Sequence, residues 1–278
     1  MPELPEVETI KNGLAPFLLG QFIQAIAIRD PTVISGILPS GKPRWNIQAD
    51  DFKKWVVGKR IQQILRRGKY LLFTLGDQDA LMIHLRMTGQ LVFKAVPETA
   101  RAILYFNQSE PLYFCDQRRF GEIRYLKSWR DEKAIQNLGP EPFDKTFNGV
   151  YLQSKLKNRS APVHSILLNQ SILAGLGNIY AAESLYMAGI APQRKAGRIS
   201  IEKLNLLCDC VKKVLLASIK NRGFSMRNYR DVHGEKGRSQ DSALVYGRER
   251  QPCRQCGNTL KKRTLAGRGV VFCPKCQK

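Results

Sequence analysis

The stretch from Cys253 to Cys276, CRQCGNTLKKRTLAGRGVVFCPKC, contains two Cys-x2-Cys pairs separated by sixteen residues. Each pair can hold one side of a tetrahedral Zn²⁺ ion, and the residues between the pairs can fold back as a β-hairpin. Four thiolates leave no coordination position for water, so we expect a structural metal rather than a catalytic one. The sequence therefore predicts a zinc-bound hairpin with Cys253, Cys256, Cys273 and Cys276 as ligands.

The predicted hairpin is strongly basic. It carries Lys261, Lys262, Arg263 and Arg268, and no Asp or Glu occurs from residue 250 to residue 278. The bias extends upstream, since residues 151–278 hold 24 Lys and Arg against 7 Asp and Glu, a net charge of +17, whereas residues 1–150 hold 21 against 16, a net charge of +5. Basic side chains that neutralise phosphates gain free energy by releasing counterions. We therefore expect a polyanionic partner, although charge alone does not distinguish DNA, RNA and an acidic membrane.

The region before the hairpin has the periodicity of helices. Apolar residues at three- and four-residue spacing predict helices over Ile179–Met187 and 201–219, and a further helix that begins at Ile166, Leu167 and Leu168. The polar, glycine-containing segment 222–242 predicts a long loop, and loops of that length are usually functional or disordered. Gly139-Pro140-Glu141-Pro142 indicates a hinge near the start of this region.

The first half of the chain has the pattern of a β-protein after one helix. Apolar residues at helical spacing predict an amphipathic helix over 3–19. From about residue 21 to residue 127, short β-rich runs are separated by Gly, Pro, Asp and Asn, which is typical of an antiparallel sandwich or barrel. These runs are Tyr70–Leu75, Leu81–Leu85, Leu91–Lys94, Ile103–Phe106, Leu112–Cys115 and Ile123–Leu126. The chain is thus predicted to be an α+β multidomain protein with domains at 1–145, 146–243 and 244–278.

Several classes of protein are excluded by composition. No run of about 18 apolar residues occurs, and the N-terminus carries three acids before any base, which argues against a membrane span and a signal peptide. Seven cysteines, an odd number, do not indicate a secreted disulfide framework, and Cys115, Cys208 and Cys210 are expected to be buried. We expect a soluble, cytoplasmic protein that binds no membrane.

The N-terminus offers an unusual nucleophile. Pro2 follows the initiator Met, which is normally removed before a small residue, so a secondary amine becomes exposed. An α-amino group with a pKa near 8 is about a tenth neutral at pH 7 and can attack without much tuning. Its attack on a sugar C1′ gives an iminium, and the neighbouring Glu3 carboxyl can donate a proton to the opening ring. Taken alone, however, the Pro-Glu pair is weak evidence, because the start of a helix explains it more simply.

Five segments together resemble one enzyme family. They are MPELPEVETI at the N-terminus, HLRMTG at 84–89, DQRRFG at 116–121, AGLGNIYAAESL at 174–185, and the zinc element with GRG at 267–269. In this order they resemble formamidopyrimidine-DNA glycosylase, and the resemblance runs from residue 1 to residue 277. It implies an N-terminal antiparallel β-sandwich with flanking helices, then a helix–two-turn–helix bundle with a zinc-bound β-hairpin.

The resemblance also implies an activity. Family members remove oxidised purines, namely 8-oxoguanine and formamidopyrimidines, from double-stranded DNA through a Schiff base on the N-terminal proline. β,δ-Elimination at the abasic site follows, so the enzyme is both a glycosylase and a lyase. We expect one structural Zn²⁺ as the cofactor and duplex DNA with an oxidised purine or an abasic site as the partner. We also expect a monomer that is associated with the nucleoid through DNA binding.

The roles of individual residues follow from the same resemblance. Pro2 corresponds to the nucleophile, Glu3 to the general acid, Glu6 to a further acidic pocket residue, and Lys69 and Arg268 to groups that grip phosphates near the lesion. His84 and Asn178 correspond to phosphate contacts, and Lys261 and Arg263 belong to the basic hairpin. The side chains that fill the gap left by the everted base correspond to Met87, Arg118 and Phe120. The loop 222–242 corresponds to the segment that caps the lesion.

Simpler interpretations of these residues stay open at this point. Lys69 can be a strand-edge lysine, His84, Met87 and Phe120 core residues, and Glu6 a helix-terminus acid. The alternative functions are a non-catalytic DNA-binding paralogue and an oxidised-pyrimidine glycosylase of the endonuclease VIII branch. The chain departs from the family pattern at His164, where relatives usually have Lys, and at Asn169, where Asp is frequent, so a phosphate or lesion contact near residue 164 is in doubt.

Overall fold

The computed structural model describes residues 1–37, 43–45, 48–94, 97–226 and 228–278, and the chain forms two compact units. Unit 1 comprises Met1–Gln136 and Asn221–Arg238, and unit 2 comprises Asn137–Lys220 and Ser239–Lys278. Each unit is therefore built from two separate stretches of the chain.

Unit 1 consists of a long helix and two sheets. Its elements are α1 (Leu4–Leu18), β1 (Ile23–Ile28), β2 (Ile34–Ile37), β3 (Pro43–Trp45), α2 (Ala49–Val56), β4 (Gln63–Arg67), β5 (Tyr70–Thr74), β6 (Ala80–His84), β7 (Gln90–Val92), β8 (Ala100–Phe106), β9 (Leu112–Cys115), β10 (Glu122–Leu126) and α3 (Lys133–Gln136). One sheet has the strand order β1-β8-β9-β7 and the other has the order β3-β2-β10-β6-β5-β4. The six strands predicted from sequence are all present, with shifts of a few residues at their ends.

The two sheets share one hydrophobic core with α1. Phe73 and Ile83 from the larger sheet, Leu104 and Phe114 from the smaller, and Leu14 from α1 are each almost fully buried in a single cluster. The predicted antiparallel sandwich is confirmed, except that β2 pairs with β10 in parallel. These two strands are distant in sequence and are joined by a long crossover, which is the connection that parallel pairing requires.

Unit 2 consists of helices followed by a hairpin. Its elements are α4 (Gly149–Leu156), α5 (Val163–Leu167), α6 (Asn178–Met187), α7 (Ile201–Lys220), β11 (Lys261–Leu265) and β12 (Arg268–Phe272). The helix α7 contacts both α4 and α6, and α6 contacts β12. The two-residue turn at Ala266 and Gly267, both with positive φ (45° and 74°), joins the hairpin strands in the way that tight hairpins require.

One predicted helix start is wrong. Ile166, Leu167 and Leu168 do not begin a helix, because α5 starts directly after Pro162 and ends at Leu167. Proline is favoured at a helix start, so Pro162 was the available signal. The helix α4 was not predicted; its signal was Asn148, whose side chain accepts a hydrogen bond from the Tyr151 N–H (2.9 Å) as an N-cap.

The segment 221–238 differs most from its sequence-based description. The boundaries 1–145, 146–243 and 244–278 stay a prediction, but the compact units place 221–238 with the β-sandwich rather than with the helices. Tyr229 and Val232 are 7% and 1% exposed and belong to the sandwich core. Arg227, part of the predicted capping loop 222–242, lies outside the described residues.

Candidate active site and nucleic-acid interface

The N-terminus of α1 brings Pro2, Glu3 and Glu6 together. Glu3 and Glu6 form a reciprocal capping box, in which the Glu3 N–H donates to Glu6 Oε2 at 2.8 Å and the Glu3 side chain accepts from the Glu6 backbone. Both carboxylates are almost fully buried, at 3% and 1% exposed. The second Glu6 oxygen, Oε1, accepts the Phe224 N–H at 2.8 Å. Glu6 therefore fixes the peptide next to Pro2 and ties it to the segment 221–238.

Lys69 and His84 lie at the same end of the neighbouring strands β5 and β6. Lys69 occupies the tight turn between β4 and β5 after Gly68, whose φ is +58°, and it is 7% exposed. His84 ends β6, opposite Tyr70, and its Nδ1 accepts the Arg86 N–H at 2.9 Å. Burial, and then the positive charges of Arg86 and Lys69, lower the pKa of His84 to about 3. The ring is therefore neutral at physiological pH and carries its proton on Nε2, so it offers a hydrogen bond rather than a charge.

Met87, Arg118 and Phe120 meet at the surface of unit 1. Arg118 Nη1 lies 3.2 Å from Met87 Sδ, and the Arg118 guanidinium carbon lies 4.7 Å from the centre of the Phe120 ring. Met87 and Phe120 are 47% and 53% exposed, so neither is the core residue that the simpler interpretation allowed. An exposed apolar pair around an arginine is available to a partner.

Sequence reasoning missed two residues that hold these side chains. The carboxylate of Asp116, 1% exposed, accepts the Gly121 N–H at 2.6 Å and the Arg118 N–H at 3.1 Å. The Thr88 hydroxyl donates to the same carboxylate and accepts the Arg118 N–H at 3.2 Å. The available signal was a short polar residue within each of the two quoted motifs, since Asp and Thr side chains commonly close local turns.

The segment 221–238 is braced internally by Asp231 and is held to the sandwich at Val232 as well as at Glu6. Asp231 accepts the N–H groups of His233 and Glu235 at 3.0 and 2.9 Å and pairs with Arg222. The Phe93 N–H donates to the Val232 carbonyl at 2.9 Å. The segment thus has a fixed base, while Met226 is 58% exposed.

In unit 2, Asn178 stands at the first position of α6 and joins two elements. Its Oδ1 lies 3.0 Å from His164 Nε2, and its Nδ2 donates to the Gly269 carbonyl of β12 at 3.1 Å. His164 is fully buried, and burial lowers the pKa of its ring to about 4, with a smaller lowering from Arg268. Its Nδ1 has no hydrogen-bond partner in the described part of the chain. The residue that departs from the family pattern is therefore neutral and points to Asn178.

Asn169, the second departure, forms a local turn. Its Oδ1 accepts the N–H and the hydroxyl of Ser171 at 2.9 and 2.8 Å. An aspartate forms the same turn, so the exchange preserves the local structure.

Three basic residues share one face of the hairpin. The register pairs Leu265 with Arg268 and Arg263 with Val270, so Lys261, Arg263 and Arg268 lie on the same face. All three are exposed. Lys262 lies on the other face and pairs with Glu249, with Nζ and Oε2 3.0 Å apart. The face with three cations is suited to phosphate.

The four predicted zinc ligands converge. Their Sγ atoms all lie within 4.8 Å of one another, with Cys253 and Cys276 3.9 Å apart and Cys256 and Cys273 3.5 Å apart. A tetrahedral Zn–S₄ site with bonds of about 2.3 Å needs S–S separations of about 3.8 Å, so the residues fit the ion. The Tyr186 hydroxyl lies 3.1 Å from Cys253 Sγ and can donate a hydrogen bond to it. Such a bond from a residue that is not itself a ligand orients the Cys253 thiolate towards the metal.

Family models match nearly the whole chain. Residues 1–123 match the formamidopyrimidine-DNA glycosylase N-terminal domain, residues 138–229 match the H2TH domain of the same enzymes, and residues 250–278 match the zinc finger found in FPG and IleRS. The chain belongs to the formamidopyrimidine-DNA glycosylase family. The helix–two-turn–helix domain and the zinc finger expected from sequence are thereby confirmed.

Individual relatives agree with this membership. The chain is 39% identical to a formamidopyrimidine-DNA glycosylase of Desulfitobacterium hafniense over the full length of both, and 40% identical to one of Chloroflexus aurantiacus over 100% of this chain and 98% of that one. The crystal structure of MutM (Fpg) from Thermus thermophilus has a TM-score of 0.87 and 36% identity, covering 99% and 98% of the two chains. The Lactococcus lactis Fpg bound to abasic-site DNA has a TM-score of 0.87 and 34% identity over 99% of each.

A member of the formamidopyrimidine-DNA glycosylase family is a DNA repair enzyme with a structural zinc finger. The predicted activity class and cofactor are confirmed, and the two alternatives, a non-catalytic paralogue and an endonuclease VIII-type enzyme, are not favoured. Within the described residues, no helix is both long enough and apolar enough to cross a membrane.

Proposed function

We propose that this enzyme excises 8-oxoguanine and formamidopyrimidines from duplex DNA and then cleaves the strand at the abasic site. The observation that carries the proposal is the buried Pro2-Glu3 pair held by Glu6 at the start of α1. A variant of the Lactococcus lactis relative, with a TM-score of 0.88 and 33% identity over the full length of both chains, is bound to Fapy-dG-containing DNA. The likeness supports the same lesion class for this chain.

The chemistry starts from the Pro2 amine once Met1 has been removed. Its lone pair forms a bond to C1′ while the glycosidic bond breaks, and the bond electrons leave with the base, which takes up a proton. Glu3 donates a proton to the ring oxygen as the sugar opens, which leaves an iminium between Pro2 and C1′. The iminium acidifies the C2′ hydrogens, so loss of one of them expels the 3′ phosphate, and a second elimination expels the 5′ phosphate. Hydrolysis of the remaining iminium then frees Pro2.

The remaining residues bind and orient the DNA. Lys69 and Arg268 neutralise phosphates near the lesion, Lys261 and Arg263 extend the basic surface, and the neutral His84 and Asn178 donate hydrogen bonds to phosphate oxygens. Zn²⁺ on Cys253, Cys256, Cys273 and Cys276 supplies no reaction step and fixes the hairpin that presents Arg268.

Met87, Arg118 and Phe120 occupy the space vacated by the everted nucleotide. The two apolar side chains replace the lost stacking, and the arginine hydrogen-bonds the unpaired cytosine. The segment 222–242 caps the everted base, with Phe224, Tyr229 and Val232 as its anchors. The enzyme acts as a monomer in the cytoplasm, on the nucleoid.

Borohydride trapping tests the proposal. The wild type, Pro2→Gly and Glu3→Gln are incubated with an 8-oxoguanine:cytosine duplex and with an abasic duplex. We expect a covalent protein–DNA band and strand cleavage from the wild type, no band from Pro2→Gly, and slow base removal by Glu3→Gln. Intact-protein mass spectrometry shows whether Met1 is absent, as the reaction requires. Absence of trapping on both duplexes despite tight binding would overturn the activity, and trapping on abasic DNA alone would overturn the choice of base.

A further inference from the structure

Two turns carry the three gap-filling side chains, and the same two residues join both turns. The first turn, 85–89, presents Met87, and the second, 116–121, presents Arg118 and Phe120. Asp116 and Thr88 bond to each other, and both accept the backbone N–H of Arg118, at 3.1 and 3.2 Å. The central residue of the three is therefore fixed from both turns at its backbone.

Asp116 is itself fixed to the sandwich. Its N–H donates to the Thr99 carbonyl at 3.1 Å, and its own carbonyl accepts Arg101 Nε at 2.8 Å. Its carboxylate is buried and also holds the Gly121 N–H at 2.6 Å. A β-carbon at Gly121 would lie 2.6 Å from the Phe114 ring, so the second turn closes tightly against the core.

The backbone of both turns needs such support. Arg86, directly before Met87, has a φ of +51°, and Arg119, between Arg118 and Phe120, has a φ of +56°. Residues with a β-carbon avoid this left-handed region unless the surroundings hold them there. Arg119 is held by Asp30, with Nε and Oδ2 3.2 Å apart, and the rest of the turn is held by Asp116.

We propose that Asp116 and Thr88 are positioning residues that set how strongly the enzyme discriminates the base opposite the lesion. The inference rests on the proposed function, in which Arg118 hydrogen-bonds the unpaired cytosine. An arginine discriminates between bases only when its fork is presented at a defined angle. The guanidinium rests on Met87 and Phe120, which are about half exposed, so this angle depends on the hydrogen bonds that fix the two turns beneath them.

The test compares excision of 8-oxoguanine opposite cytosine and opposite adenine. The ratio of the two kcat/KM values is measured for the wild type, Thr88→Val, Asp116→Asn, Thr88→Ser and Arg118→Ala, and for Arg118→Ala combined with Thr88→Val. Thr74→Val is the matched control, because Thr74 is a buried threonine whose Oγ1 accepts the Gln63 N–H at 3.0 Å on a strand outside both turns. Thermal unfolding is recorded for every variant.

We expect Thr88→Val and Asp116→Asn to lower the cytosine-over-adenine ratio about fivefold or more, as the loss of a well-oriented arginine contact would. Thr88→Ser should keep the ratio within about twofold of the wild-type value. Adding Thr88→Val to Arg118→Ala should not change the ratio further, because the effects of coupled residues are not additive. Thr74→Val should keep the wild-type ratio.

Two results would overturn the inference. One is a Thr88→Val enzyme with an unchanged ratio. The other is a fall in both rates by one factor that follows the drop in unfolding temperature, which would make the residues merely structural. A wild type that excises no 8-oxoguanine from either duplex would instead overturn the proposed function.

Discussion

The backbone N–H of Phe224 donates to Glu6 Oε1 at 2.8 Å, although the two residues are 218 positions apart. The other carboxylate oxygen accepts the Glu3 N–H at the same distance. One buried side chain therefore joins the peptide beside the nucleophile to the segment that is proposed to cap the lesion. Each oxygen of the Glu6 carboxylate accepts one of the two backbone N–H groups.

Replacing this carboxylate by an amide tests that coupling. Glu6→Gln places an NH₂ group against one of two N–H donors, so one hydrogen bond to a charged group is lost. Such a bond contributes about 1.5–3 kcal/mol, which corresponds to a fall in kcat/KM of about 10- to 100-fold. Glu8→Gln is the matched control on the same helix, since Glu8 pairs instead with Lys11 and Arg66. Equal activities of the two variants would contradict the role of Glu6.

The basic face of the hairpin should determine how strongly the affinity for duplex DNA depends on salt concentration. Arg263→Gln should reduce the slope of log K against log salt concentration for duplex DNA by about 0.9, because one phosphate contact is lost. Lys262→Gln, its neighbour on the opposite face, should change the slope much less, since Glu249 already pairs with Lys262. Fluorescence anisotropy titrations at several salt concentrations measure both. A larger change for Lys262→Gln would assign the DNA to the other face.

Zinc removal should abolish DNA binding. Without the ion, four thiolates within 4.8 Å of one another have nothing to hold them, and the hairpin with Arg268 loses its shape. We expect one zinc per chain by metal analysis, and loss of both zinc and DNA affinity in Cys256→Ser. Cys210→Ala, which removes a buried thiol of α7 outside the cluster, should retain both. Full affinity in a zinc-free protein would refute this role of the metal.

His164 should make the protein less stable in acid. Burial lowers the pKa of the folded ring to about 4, whereas an unfolded histidine takes up its proton near pH 6.5. Between these two pKa values the unfolded state binds more protons than the folded state. The free energy of unfolding therefore falls by at most about 1.4 kcal/mol for each unit by which the pH is lowered. Unfolding temperatures of the wild type and His164→Gln, compared at neutral and mildly acidic pH, should converge as the pH falls. Parallel curves would show that His164 is not buried as a neutral ring.

Residue spacing was sufficient for those parts of the fold that depend on local pattern. The period of α1 and α7, the alternation of the strands and the Cys-x2-Cys pairs each express a geometric requirement within a few neighbouring residues. The parallel pairing of β2 with β10 and the return of 221–238 to the sandwich depend on contacts between distant parts of the chain. Periodicity carries no information about such contacts.

The candidate site shows the same division. The position of Glu6 in a capping box follows from its spacing of three residues from Glu3. Its bond to Phe224 is not, because a backbone donor has no identity in sequence. Likewise, His164 could be recognised as a departure from the family, but its burial and its contact with Asn178 emerge only from the packing of α5 against α6.

The interleaving of the two units along the chain constrains how the protein can be made. Unit 1 needs residues 221–238, and Tyr229 and Val232 are part of its core, so the β-sandwich that leaves the ribosome first stays incomplete until most of the chain has been synthesised. The helices of 137–220 emerge in the meantime. Domains commonly fold in the order of their synthesis. In this enzyme the core of the N-terminal unit is completed only by a segment that follows the last long helix.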